Sequence, residues 1–335
     1  MTPLNLASSN GKHMKMAELK VGERNWQGLP TQAAHTTKSV KSSEWSRSVT
    51  FIGWLPLVLL PTAAVVSFRH SEAWVLMWAL AISIYVGLKW VTWWTARNPS
   101  SHSPWRSAGY LLAWPGMDAE SFLDETKRPP MPQSREWFWA ISKTSLGVIL
   151  LWLVARMFPQ EEPLLRGWMG MLGLILVLHF GAFQIAALLW QCLGVDASPI
   201  MSAPLRSKSL SEFWGKRWNL GFRQLAHDLI FVPVHKYLQV GSTTLLVFLI
   251  SGLIHDLVIS VPARASYGLP TAYFFLQGVG VLFERSPFGK QFGLGQGIRG
   301  WLFMALIVAG PVFWLFHPPF VMRVIIPFMQ AIHAL

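Results

Sequence analysis

The sequence predicts an all-α, polytopic membrane bundle of about eight transmembrane helices with one amphipathic helix at the interface. Three observations carry that prediction. Hydrophobic residues fill 52% of the 335 positions and charged residues only 13%, about half the share of a soluble domain. Eight apolar stretches follow one another from residue 51 onward. The 19 tryptophans suit a chain with aromatic side chains at two membrane–water interfaces.

Residues 1–48 are rich in Ser, Thr, Lys and Gln and poor in aliphatic clusters. They read as a disordered cytoplasmic tail. Their start, MTPLNLASSNGKHMKMAELK, lacks the apolar core of a signal peptide. Residues 49–335 then read as one membrane domain. Its apolar stretches cover 51–68, 73–95, 137–158, 168–192, 243–262, 269–284, 300–316 and 318–335. A span needs about 20 residues, so the sixth is short, and only His317-Pro318-Pro319 separates the last two.

Orientation follows from the basic residues. With a cytoplasmic N-terminus, 21 Lys and Arg fall on the cytoplasmic side and four, Arg69, Arg156, Arg166 and Arg264, on the other. That asymmetry is the positive-inside pattern. It also explains the net charge of +12 without nucleic acid, and leaves a surface attractive to anionic membrane lipids or a polyanionic cosubstrate. A single cysteine, Cys192, excludes an intrachain disulfide. His227 and His235 show no metal-ligand spacing, so no metal is expected. GQGIRG, 295–300, fits G-x-G-x-x-G but follows no strand. The carboxylates of FLDETK, 122–127, sit in a mixed-charge loop and read as solvated.

Two stretches carry chemistry. In KSLSEFWGKRWNLGFRQLAHDLIFVPVHKYL, 208–238, Ser209 and Glu212 fit a capping box that starts a helix. Trp214, Trp218 and Phe222 recur every four residues, which places them on one helical face, with Gly215 and Asn219 sharing a stripe. Lys216, Arg217 and Arg223 are interleaved with the aromatics, as in a helix lying at the cytoplasmic interface. In TLLVFLISGLIHDLVISV, 244–261, His255 lies 12 residues into an apolar span, about 18 Å deep at 1.5 Å per residue. An ionisable group there is a functional candidate by default, against the plainer alternative of a neutral histidine bonded to a nearby carbonyl. Ser251 and Gly252 lie one turn before it, and Asp256 is rotated about 100° away, free to pair with another helix. His179, in the fourth stretch, is a second buried histidine, read as core hydrogen bonding.

FWGKRWN, 213–219, followed about 36 residues later by SGLIHDL, 251–257, resembles the wax synthase-like branch of the membrane-bound O-acyltransferase family. TAYFFLQGVGVLFE, 271–284, is similar to that family's C-terminal pattern, and WPGMDAESFL, 114–123, adds a weaker likeness. The resemblance implies a transferase of lipid metabolism that moves a fatty acyl group from acyl-CoA, as cosubstrate rather than cofactor, to a lipid-soluble alcohol acceptor. It implies His255 and Asn219 as the catalytic residues. Lys216, Arg217, Arg223, Trp214 and Trp218 would meet acyl-CoA, and Ser251 and Asp256 would support His255. The membrane would be a bacterial inner membrane or the endoplasmic reticulum. The alternative is a transporter with His179, His255 and Asp256 as a proton relay; no internal repeat of the kind many transporters carry is visible.

Overall fold

Apolar helices and the turns between them make up the protein. The computed structural model describes residues 51–97 and 103–335, all within one compact unit; the expected tail at 1–48 lies outside the described residues. Every regular element among the described residues is helical.

Among the described residues, eight apolar helical rods appear where the hydropathy places them. They are α1 (Phe51–Phe68), α2 (Ala73–Ala96), α5 (Ser134–Met157), α6 (Pro163–Cys192), α9 (Val240–Ala263), α10 (Leu269–Arg285), α12 (Gly297–Leu315) and α13 (318–331). Among the described residues, α2, α5, α6, α9 and α12 are long and apolar enough to cross a membrane. Five of the eight rods are thus full-length by length and composition, and the other three are shorter or broken. α10 has 17 residues and a buried Glu284 near its end, and the short α11 (Pro287–Gln291) follows it. α1 carries Pro56 and Pro61. The last rod is broken into short pieces after the Pro-Pro turn.

Small residues set the helix pairings, as expected where lipid tails supply no hydrophobic drive between helices. A Cβ on Gly252 of α9 would lie 2.7 Å from the Thr271 Cα of α10, so these two helices approach backbone to backbone. Gly147 of α5 and Gly173 of α6 meet in the same way. Leu59, Ile82, Leu146, Leu153, Leu172, Leu253 and Leu306 point outward and are exposed, which is the surface a bilayer would cover.

The basic residues inside apolar stretches are accounted for one by one. Lys89 is buried, donates to the Gly116 carbonyl at 2.7 Å and lies 3.1 Å from the centre of the Tyr110 ring. Arg323 donates to the Ala263 carbonyl at 2.9 Å, at the open C-terminal end of α9. Lys143 lies 5.7 Å from the Phe180 ring. His317 caps the start of α13 by accepting from the Phe320 N–H at 3.2 Å.

Within the 96–136 connection, the residues from 103 onward form α3 (Pro104–Ala113) and α4 (Ala119–Leu123). Buried Arg106 ties it together, donating to the carbonyls of Phe122, Asp124 and Gly194. The following loop, 114–117, is held on α2 by Tyr85, which donates to the Trp114 carbonyl at 2.8 Å, and by Lys89. Asp124 is solvated. Hydrogen bonds from Thr126 hold its carboxyl below the ordinary carboxylate value.

Candidate functional site

A cavity of about 660 Å³ lies among α2, α6, α9, α10 and the segment 210–231. On α9 it touches Thr244, Val247, Phe248, Ser251, Ile254, His255 and Val258. That spacing is one continuous stripe of a 3.6-residue helix, about 21 Å long at 1.5 Å per residue. α10 runs antiparallel beside it and contributes Phe274, Val281 and Arg285. The cavity thus has Thr244 and Arg285 towards one end, and His255 and Phe274 deeper.

His255 lies about 22 Å along α9. Its ring sits 4.2 Å from that of Phe274, and its Nδ1 is 2.7 Å from the Ser251 carbonyl oxygen. A carbonyl only accepts, so Nδ1 carries the proton of the neutral ring and Nε2 is left with its lone pair. Nε2 has no protein partner among the described residues, and His255 lines the cavity. Ser251 therefore orients the imidazole through its backbone rather than its hydroxyl. The plain alternative of a carbonyl-bonded histidine and a ring able to accept a proton turn out to be the same arrangement.

Asp256 belongs elsewhere. Its carboxylate accepts from the Ser260 hydroxyl at 2.7 Å, the Gly268 N–H at 2.9 Å, the Thr271 N–H at 3.1 Å and the Thr271 hydroxyl. It closes the α9–α10 turn and satisfies donors at the start of α10. It does not line the cavity, so a relay through His179, His255 and Asp256 has no continuous site.

The 208–238 segment departs from the single helix expected of it. Ser209 does cap its start, accepting from the Glu212 N–H at 2.9 Å, but Glu212 reaches back to the Lys208 N–H rather than to Ser209. Buried Glu284 takes the next two donors, Leu210 and Ser211. The helix α7 (210–217) widens into a π-helical turn over Phe213–Arg217 and stops. Trp218 is extended, and Asn219 is left-handed at φ 42°, a conformation Asn tolerates better than most residues. The Asn219 side-chain oxygen then accepts from the Phe222 N–H at 3.2 Å and starts α8 (220–234). Residues 200–203 brace the break: the Ile200 carbonyl accepts from the Leu220 N–H at 2.9 Å and the Arg217 carbonyl from the Ser202 N–H at 2.8 Å. Periodicity missed the break because Asn at a cap and Asn in a helix look alike without the strand of contacts at 200–203.

Breaking the helix still brings Trp214, Gly215, Trp218, Asn219, Phe222 and Arg223 to the cavity. Trp214 is fixed by donating to the Gln277 side chain at 3.2 Å. Because the Asn219 oxygen is used as a cap, its amide N–H₂ is the part left for a ligand. Lys216 and Arg217 do not line the cavity. Lys216 is exposed. Arg217 is engaged by Glu212 at 2.6 Å and by the Ser202 carbonyl. Burial pushes the Glu212 carboxyl up, but bonds from Lys208 and Arg217 outweigh this and hold it below its ordinary value.

Cavity residues outside the acyl-transfer site expected from the sequence include Arg285, Tyr85 and His179, the last offered there only as a relay member or a core histidine. Arg285 ends α10 and donates to the Ser211 hydroxyl at 3.0 Å. Its signal was its place eleven residues after Phe274, on the same helical stripe. His179 was expected to hydrogen-bond in the core, yet its Nδ1 is buried with no partner among the described residues.

Comparison with known proteins points the same way. Residues 197–277 match the model of the Membrane bound O-acyl transferase family. The chain is 27% identical over 203 residues to probable long-chain-alcohol O-fatty-acyltransferase 3 of Arabidopsis thaliana, covering 52% of this chain and 58% of that protein. It is 33% identical over 162 residues to probable long-chain-alcohol O-fatty-acyltransferase 8 of Arabidopsis thaliana, covering 45% and 47%. It is 30% identical over 143 residues to the long-chain-alcohol O-fatty-acyltransferase of Simmondsia chinensis, covering 38% and 40%. The chain thus spans about half the length of the curated relatives it matches. Helices able to cross a membrane and a membrane-family match together make it an integral membrane protein. The segment matched by the family model holds both the Asn219 turn and His255.

Proposed function

We propose that this protein transfers a fatty acyl group from acyl-CoA to the hydroxyl of a lipid-soluble alcohol inside the cavity along α9. The observation that carries this reading is His255, with Nδ1 bonded to a carbonyl and Nε2 unpartnered in a largely apolar cavity. The curated relatives are named for acyl transfer to long-chain alcohols, which supports the same substrate classes here.

The Nε2 lone pair takes the hydroxyl proton as the alcohol oxygen attacks the thioester carbonyl carbon. A C–O bond forms and the carbonyl electrons move to oxygen. The Asn219 amide N–H₂ stabilises that oxyanion. The electrons then return, the C–S bond breaks, and the imidazolium gives its proton to the departing thiolate. His255 ends neutral, as it began, so no cofactor is consumed. Arg285 and Arg223, both cavity residues, suit the phosphates of coenzyme A. The apolar stretch between Phe248 and Val258 suits an alkyl chain. The Arg285 end of the cavity would then face the cytoplasm.

The deciding experiment supplies the purified protein with long-chain acyl-CoA and a panel of primary alcohols. Ester and free coenzyme A should appear in equal amounts. Thiol release without ester would reduce the reading to a hydrolase, and no turnover with any alcohol would remove it. For orientation, a cysteine at Thr126 in a Cys192→Ser background should label from the cytoplasmic side. Labelling from the opposite side would invert the proposed thioester entrance.

A further inference from the structure

We infer that His179 is a second substrate-binding histidine, an N–H donor aimed at the acyl carbonyl oxygen. This inference rests on the acyl-transfer reading above and assigns a residue that lies outside the family match at 197–277.

His179 sits in the middle of α6, in a π-helical stretch covering Leu176–Ala182. Such a stretch widens the turn and displaces side chains from the ordinary helical stripe, and single π turns are frequent at functional sites. Three of the π-helical stretches, 176–182, 213–217 and 227–231, contribute residues to this cavity. The His179 ring stacks on that of Trp218, with centroids 6.4 Å apart and planes 17° from parallel. Phe183 meets it edge-on at 5.4 Å. Trp218 is the residue before Asn219, so the stack places His179 on the wall that carries the Asn219 amide.

The two ring nitrogens differ. Nδ1 is sealed from solvent and has no partner among the described residues. Nε2 also has no protein partner among them, but it is not sealed, and the residue lines the cavity. A neutral imidazole holds one proton. Placing it on Nδ1 would bury an N–H with nothing to accept it, the rarer of the two kinds of vacancy in folded proteins. The proton therefore belongs on Nε2, where a ligand atom can accept it. His255 has the reverse assignment: proton on Nδ1, lone pair on Nε2. One cavity thus holds a histidine that accepts a proton and a histidine that donates a hydrogen bond. The attacking hydroxyl needs the first. The carbonyl oxygen, which gains negative charge as the C–O bond forms, needs the second.

The test uses two unreactive coenzyme A thioethers, one with a 2-oxoalkyl chain and one with the matching alkyl chain. The parent should bind the ketone more tightly. His179→Phe keeps an aromatic ring against Trp218 but has no N–H, and should lower that preference roughly 3–10-fold, the worth of one net hydrogen bond. His179→Gln, whose amide reaches the Nε2 position, should restore part of it. His179→Asn, whose amide reaches only the Nδ1 position, should behave like His179→Phe, and it serves if the Phe variant does not fold. With acyl-CoA and alcohol, kcat should follow the same order while thermal unfolding of folded variants stays near the parent's. An unchanged ketone preference in His179→Phe or His179→Asn would remove this inference alone. A parent that binds neither thioether would remove the acyl-CoA reading and this inference with it.

Discussion

The two faces of α9 do opposite work with adjacent residues. One face carries Thr244, Ser251, His255 and Val258 along the cavity. The other carries Asp256, whose carboxylate is consumed by Ser260, Gly268 and Thr271 at the α9–α10 turn. In sequence the two read as a His–Asp pair, a combination that elsewhere signals an acid oriented behind a base. A turn of about 100° between neighbours sends them to different partners instead. His255 is oriented by a backbone carbonyl one turn earlier, and the carboxylate holds a helix start.

That contrast can be broken by mutation. The largest effect should come from His255→Ala: turnover falls about 10²–10⁴-fold, the range for a lost general base, while the midpoint of thermal unfolding barely moves. A variant that unfolds early but turns over normally per folded molecule would make His255 a packing residue.

Asn219 sits between the two kinds, since its oxygen caps α8 and its amide is free for a ligand. Asn219→Gly tolerates φ 42° and spares the backbone strain that an alanine would meet. It should fold nearly as well as the parent yet lose about 10²–10³-fold in kcat, as for one missing oxyanion donor. Asn219→Ala should lose the same rate and, in addition, about 1–3 kcal/mol from the cap and the left-handed backbone. Equal activity of Asn219→Gly and parent would leave Asn219 a cap and nothing more.

Asp256→Ala is expected to reverse the His255 result. It strips partners from the N–H groups of Gly268 and Thr271, at about 1–3 kcal/mol for each donor left unmade. For the two donors together stability should drop by roughly 2–6 kcal/mol, with turnover per folded molecule near the parent's. Chemical denaturation and initial rates on one preparation would separate the two.

The smallest effect concerns Arg217, which the sequence offered as a phosphate ligand and the structure gives to Glu212. Glu212 titrates below its ordinary value of 4.5. A depressed carboxylate contributes stability above its unfolded value and loses it as pH falls through the folded one. Arg217→Ala should therefore cost about 0.2–1 kcal/mol near pH 7 and progressively less below pH 4.5. The Michaelis constant for acyl-CoA should not change. A marked rise would place Arg217 back at the ligand.

Hydropathy alone located the helical rods, because a chain that crosses lipid must hide every backbone N–H inside apolar helices. It did not show where the rods end: α10 stops just after the buried Glu284, and the prolines at 318–319 break the last rod from the one before it. The position of His255 was legible for the same reason: an imidazole in an apolar run is conspicuous. Hydropathy could not tell which ring nitrogen is free, since that depends on the distance to one carbonyl.

Periodicity assumes that a helix continues, so only the folded chain revealed the break at Trp218–Asn219, where residues 200–203 replace helical partners with their own. The same break released Arg217 to Glu212 and turned Trp218 onto His179. The sequence determined which residues are apolar, small or ionisable, and where along each rod they stand. The tertiary structure decided which of the ionisable ones meet in one cavity, because contacts between distant segments have no signature in local spacing.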